Sequence, residues 1–189
     1  MIRLTLLLAT CSACCCAGRA QDATLDDRRP SLAILAPTIG VSVQQVTNQK
    51  TAFVPKRMVG ERQVTRRWIL NRKFIEERAT TVFKGSAKGE SHAIYTYDEH
   101  RSLFTWWVFD TFGVASEFTG TWDAKNRTIA WTTAQKRSDR YTHVTKEIVH
   151  DDGTLEWESK GTQADGTLAV HQTGKTKSPP RQERLQAKP

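Results

Sequence analysis

Val114-Ala115-Ser116-Glu117-Phe118-Thr119-Gly120-Thr121-Trp122, the polar run Asp123 to Arg127, and then Thr128-Ile129-Ala130-Trp131-Thr132 decide the fold. In the first segment Phe118, Gly120 and Trp122 share one parity, and Glu117, Thr119 and Thr121 share the other. In the second, Ile129 and Trp131 alternate with Thr128, Ala130 and Thr132. A period of two with one apolar face describes a strand whose other face is wet, and the polar run between the segments makes a hairpin. The same phrase extends in both directions. Upstream it gives strands over Gly40–Val46, Gly60–Leu70, Lys73–Phe83, Ser91–Tyr97 and Leu103–Asp110. Downstream it gives Tyr141–Val149, Thr154–Lys160 and Thr167–Lys175. Asp152-Gly153 and Asp165-Gly166 mark tight turns, because glycine takes positive φ without steric cost. No helix-length amphipathic stretch interrupts the series. The reading is all-β: an antiparallel up-and-down β-barrel of about ten strands, which hides its edges by closing. Phe118, Trp122, Ile129, Trp131, Leu155 and Trp157 are placed inside it. Ser31–Leu35, between Pro30 and Pro37, allows one helical turn that could plug an end, and Thr47–Met58 is a long loop suited to covering a mouth.

The ends of the chain read differently. Met1-Ile2-Arg3 is a short positive start, Leu4 to Cys16 is apolar but too short to span a bilayer, and Gly18-Arg19-Ala20 offers small residues for cleavage after Ala20. Residues 1–20 are therefore expected to be a signal peptide and the mature protein to be periplasmic or secreted. Cys11, Cys14, Cys15 and Cys16 all fall in that leader, with a lipoprotein anchor at one of them as the alternative. An exported domain without bridges must then be held by core burial alone. Residues 21–30 read as a linker, 31–177 as the barrel, and 178–189 as a disordered basic tail. The formal charge of +8 falls to +6 without Arg3 and Arg19, and +4 of that lies beyond Gly174, so the body carries about +2. That is too little for a nucleic-acid face, and none is expected. No second long apolar run exists, so no transmembrane segment is expected either.

Arg67-Trp68-Ile69-Leu70-Asn71-Arg72-Lys73-Phe74-Ile75, then Tyr97-Asp98, then Trp106-Trp107-Val108-Phe109-Asp110 with Gly113 and Ser116, then Gly120-Thr121-Trp122-Asp123 occur in that order. In order and spacing they resemble the bacterial domain-of-unknown-function family fifteen-seventy-nine, over roughly Leu32 to Lys177. The resemblance implies a lipocalin-like (calycin) barrel, often exported, with no agreed activity and no catalytic residues to carry over. This chain departs from the family twice. Asn71-Arg72 stands where the family tends to have Gly-Gly, which bears on the turn type. Gly40-Val41-Ser42 lacks the family's tryptophan, which bears on the first strand's register.

The chemistry available is sparse. The five histidines are scattered, the mature chain has no cysteine, and no nucleophile elbow or phosphate cradle occurs, so no catalytic residue, metal or cofactor is assigned. Glu76 and Glu77 point to opposite faces of one strand, so they cannot form a dyad, and one must point inward if the strand lines the barrel. The pocket-lining set is taken as Trp68, Trp106, Phe118, Trp122, Trp131, Trp157, Glu76, Arg78 and His143, since a wide barrel rich in tryptophan is hard to fill completely. Leu103–Phe109 is apolar on both faces, so its outer face, with Leu103, Trp107 and Phe109, needs intrachain cover or a second copy in a homo-oligomer. Three functions follow: a non-catalytic module for a small, mostly apolar ligand; a structural or interaction protein using strand 103–109; or an enzyme with acid–base groups such as Glu76, Arg78 and His143 inside the barrel. The first is preferred, and enzymatic activity is left open.

Overall fold

The computed structural model describes residues 31–86, 88–133 and 141–181, and within them ten antiparallel strands close into one barrel. They are β1 Gly40–Asn48, β2 Met58–Ile69, β3 Phe74–Phe83, β4 Gly89–Asp98, β5 Leu103–Asp110, β6 Ala115–Asp123, β7 Thr128–Thr133, β8 Thr142–Val149, β9 Leu155–Thr162 and β10 Leu168–Thr176. Each strand pairs with its chain neighbours, and β10 returns to β1, with Val46 opposite Gly174, so no edge is left unpaired. The leader and the linker expected over 21–30 lie outside the described residues, as does the tail from 182. Of the segment expected as a tail, residues 178–181 are among those described. Arg181 bridges Val41 through two backbone hydrogen bonds of 2.9 and 2.8 Å, which lengthens the closed edge of β1.

One end of the barrel is stoppered. Ser31 caps a 3-10 helix, Leu32–Thr38, by accepting a hydrogen bond from the Ala33 N–H. The segment runs three residues past the single turn expected from the sequence. It turns Leu32 and Leu35 onto a core with Ile75, Phe104, Ile129, Val149 and Leu155. Burial of such side chains contributes about 1.5–3 kcal/mol each. Gly153, in the 150–154 turn, lies directly against this helix. A Cβ there would stand 1.9 Å from the Pro37 carbonyl oxygen, and its φ of 81° favours glycine as well. The other end is where β2, β4, β6, β8 and β10 begin, and its loops 49–57, 84–88, 111–114 and 163–167 surround a mouth.

Three interior rings each lie across a glycine on the neighbouring strand. Trp131 pairs with Gly120, Trp157 with Gly174, and His143 with Gly161. A Cβ on Gly174 would stand 2.2 Å from the Trp157 ring, and one on Gly120 2.5 Å from Trp131. The missing side chains let both indoles lie against the wall rather than project across the lumen.

The β2–β3 turn answers the question posed by Asn71-Arg72. Leu70, Asn71 and Arg72 have φ of 48°, 54° and 62°, a run of left-handed residues that costs non-glycine side chains about 1–2 kcal/mol each. The Arg72 guanidinium lies 5.1 Å from the Trp68 ring centroid, a contact that repays part of this. Leu70 gains nothing comparable, being 69% exposed. Leu70→Gly is therefore expected to stabilise the protein by about 1 kcal/mol. A raised urea midpoint at unchanged slope would show it, and a lowered one would refute the strain.

Candidate functional site

The barrel carries a buried charge cluster across its middle. On β2 the apolar parity of Val64 and Trp68 also holds Arg62 and Arg66, and on β3 the parity of Ile75 and Ala79 holds Glu77. Arg66 Nε donates to Glu77 Oε2 at 2.6 Å, and Arg62 Nη2 donates to Glu77 Oε1 at 2.6 Å. Tyr95 OH donates to the same carboxylate at 3.1 Å, and Arg66 Nη1 donates to Thr38 Oγ1 on the stopper at 3.1 Å. Burial alone would raise the Glu77 pKa, but Arg66 and Arg62 outweigh it and hold the carboxyl down at about 2. Burial would likewise lower Arg66, yet Glu77 above all keeps it charged, with its pKa raised. Tyr95 is pushed well above its ordinary value, first by burial and then by Glu77, and so stays a donor.

Glu147 on β8 faces the same cluster from the opposite wall. Its Oε2 accepts the Trp131 Nε1–H at 2.9 Å, while Oε1 lies 3.7 Å from Arg66 Nη2. Burial is the larger influence and pushes this carboxyl up, against the pull of Arg66 and the indole N–H.

Above the cluster the lumen is open. A cavity of about 350 Å³ is walled by Val46, Val108, Phe118, Trp106 and Trp157, and Phe112 stands at its mouth. Arg62, Tyr95 and Glu147 reach it from the polar base, joined on the wall by Thr145, Ser159 and Gln172. Trp106 stacks on Tyr95 with ring centroids 5.7 Å apart and on Phe118 at 4.6 Å. Its Nε1 is buried without a hydrogen-bond partner among the described residues. Trp157 Nε1 instead donates to Gln44 Oε1 at 3.1 Å, and the Arg62 guanidinium lies 6.0 Å from the Trp157 ring centroid. His143, on the wall nearer the mouth, has its pKa lowered by burial. A wider depression of about 700 Å³ lies at the rim between Trp107, Phe109, Phe112 and Tyr141, outside the polar base.

Of the residues expected to line a pocket, Trp106, Phe118, Trp157 and His143 do so. Trp131 is wholly buried beneath the cavity and positions Glu147. Trp68 and Trp122 face inward but pack against the core at the stoppered end. Glu76 and Arg78 are a correction, because both belong to the outer face of β3. There Glu76 accepts hydrogen bonds from Arg67 and from Arg78 (3.1 Å) and pairs with His92 at 2.8 Å. Arg67, foremost among these, overcomes partial burial to hold the Glu76 carboxyl at about 2. With Glu76 and Arg78 outside and His143 inside, the three cannot act on one substrate. The parity of Ile75 and Ala79 was the signal that could have selected Glu77. Leu103 and Trp107 on the outer face of β5 are half-buried, and Phe109 is half exposed. Among the described residues, no group of three His, Cys, Asp or Glu gathers as a metal site would require.

No family model and no curated protein matches this chain. Solved structures do. Rv2717c from M. tuberculosis superposes with a TM-score of 0.60 at 12% identity, covering 80% of this chain and 98% of its own. The S-type phycobiliprotein lyase CPES from Guillardia theta superposes with a TM-score of 0.55 at 11% identity, covering 82% and 96%. At such identities the likeness is one of fold, and it places this chain among the lipocalin-like barrels.

Two substitutions probe the cluster. Glu77→Gln leaves Arg66 buried without its counter-charge and is expected to cost about 3–5 kcal/mol, read from denaturant unfolding. Glu77 is depressed from an ordinary value near 4.5, so its stabilisation is complete above that pH and disappears as pH falls toward about 2. Acid unfolding of the native protein is expected in that window, and the Gln variant should lose Glu77's share of this pH dependence while Glu76 keeps its own. Glu147, raised by burial, works in the opposite sense: its ionisation opposes folding as pH rises past its ordinary value. Glu147→Gln keeps an acceptor for Trp131 and is expected to leave stability at neutral pH equal or up to about 1 kcal/mol higher. A loss of several kcal/mol would show that Arg66 needs a second anion.

Proposed function

We propose that this protein is a non-catalytic binding module for a small, mostly apolar ligand with one polar end. The observation that carries this reading is the division of the lumen. The stoppered half is filled by aliphatic and aromatic side chains, whereas the half nearer the mouth keeps a cavity of about 350 Å³ with aromatic walls and a polar base. That volume lies at the small end of ligand pockets, which run from about 300 to 1,000 Å³, and the pattern of apolar walls with few polar groups is theirs. The Trp157–Gly174 pair supports it further, because the absent side chain widens the lumen at a cost in core packing. The buried, unpartnered Trp106 Nε1 is a donor that a small tilt of the ring would offer to a ligand acceptor. The lipocalin-like fold of the two superposed structures is consistent with a barrel that holds small molecules.

The test is fluorescence titration with anilinonaphthalene sulfonate, alongside native mass spectrometry of protein purified from its source. Binding should quench tryptophan emission at micromolar probe. Ser116→Phe, which fills the upper cavity, should weaken binding about tenfold or more while unfolding stays cooperative. Unchanged binding in the variant, with no retained small molecule in the mass spectrum, would refute the reading. Gly174→Ala supplies an independent check. Displacing Trp157 should cost about 1–3 kcal/mol of stability and alter probe affinity together.

A further inference from the structure

We propose that the mouth of the barrel docks on an anionic lipid surface. Three loop segments adjoin one another around the rim: 49–57 between β1 and β2, 84–86 and 88 between β3 and β4, and 111–114 between β5 and β6. Each of the two outer loops of this arc lifts an aromatic ring into solvent. Phe53 is 57% exposed and Phe112 74%, with Val114 beside it at 47%. Just below the rim Val82 and Phe109 continue the apolar surface on the outer wall. The same three loops carry Lys50, Lys56, Arg57, Lys84 and Lys88, all exposed, and not one acidic residue. Only Lys88 is tied to an anion, Glu90 on β4, among the described residues. At the stoppered end the turns mix Glu99, Asp151 and Asp152 with Arg72, Lys73, Arg101, Lys125 and Arg127, and Leu70 is the one strongly exposed aliphatic side chain among the described residues there.

This combination fits a bilayer better than a folded partner. Phe53 and Phe112 sit on separate loops, so the two rings suit independent insertion at the headgroup boundary. Lysine and arginine around them complement anionic headgroups and keep their charges in water while their stems lie on apolar surface. Phe112 also borders the cavity, so a docked barrel would present its opening to the lipid. The surface shares Phe112 and Val114 with the cavity rim, but Phe53 and the basic residues of the loops 49–57 and 84–88 lie apart from it, and docking requires no ligand; a failure here leaves the binding reading untouched, and the reverse holds as well.

The experiment is sedimentation of protein purified from its source with vesicles of equal parts phosphatidylglycerol and phosphatidylcholine, against phosphatidylcholine alone. Partition should favour the anionic vesicles at least tenfold and fall about tenfold as salt rises to roughly 0.5 M. Phe112→Ser with Phe53→Ser should reduce it about tenfold, Lys56→Glu with Lys84→Glu about as much, and Leu70→Ser at the far end not at all. The charge variant covers the case in which the aromatic variant fails to fold. Equal partition into both vesicle types, or identical partition of both loop variants and the wild type, overturns the proposal. So does light scattering that shows a dimer lost in the Phe53/Phe112 variant while no vesicle binding is seen, which would assign the rim to a second copy of the chain.

Discussion

A single ion pair out of reach of water, Arg66 with Glu77, organises this interior. Taking either charge out of solvent costs several kcal/mol, and their attraction offsets that only if the remaining donors and lone pairs are also met. Here they are met from four directions: Arg62 along β2, Tyr95 from β4, Thr38 from the stopper, and Glu147 from across the lumen at longer range. The pair therefore fixes the relative placement of the helix, three adjacent strands and one opposite wall. An apolar core of equal volume could be as stable, but it would remove the Arg66–Thr38 tie to the stopper and would give the cavity no polar base. The charge cluster is the boundary between a packed half and a hollow half.

Much of the architecture was legible because a two-residue period is a strong signal wherever one face is wet. The β5 boundaries come directly from the run Leu103–Asp110, and the other strands shift by only one or two residues at their ends. Closure was legible too, since ten short strands without a covering helix hide their edges most completely by rolling into a barrel. The site was less so, because it breaks the rule that located the strands. Arg62, Arg66, Glu77 and Glu147 occupy inward parity, where the pattern expects aliphatic residues, and a charged residue on a strand is ordinarily read as solvent-facing. Glu76 and Arg78 looked the better pair because they share a face, which they do, on the outside. Only the parity of Ile75 and Ala79 spoke for Glu77.

The tryptophans show the same limit. Their inward direction could be read from alternation, but what each does depends on its neighbour across the strand. Trp131 and Trp157 meet glycines, lie flat, and hand their N–H groups to Glu147 and Gln44. Trp106 faces Phe118 and is held by stacking instead. Such pairings belong to register, which hairpin lengths set jointly and no single strand reveals.

The bridge between Arg181 and Val41 brings both ends of the described chain to the same pole. Ser31 enters beside the stopper, and residue 181 leaves from the first strand next to it. Both ends of the described chain thus lie opposite the opening. An affinity handle or immobilisation point attached at Ser31 or Arg181 would start far from the entrance, whereas a graft into 111–114 would sit in the doorway.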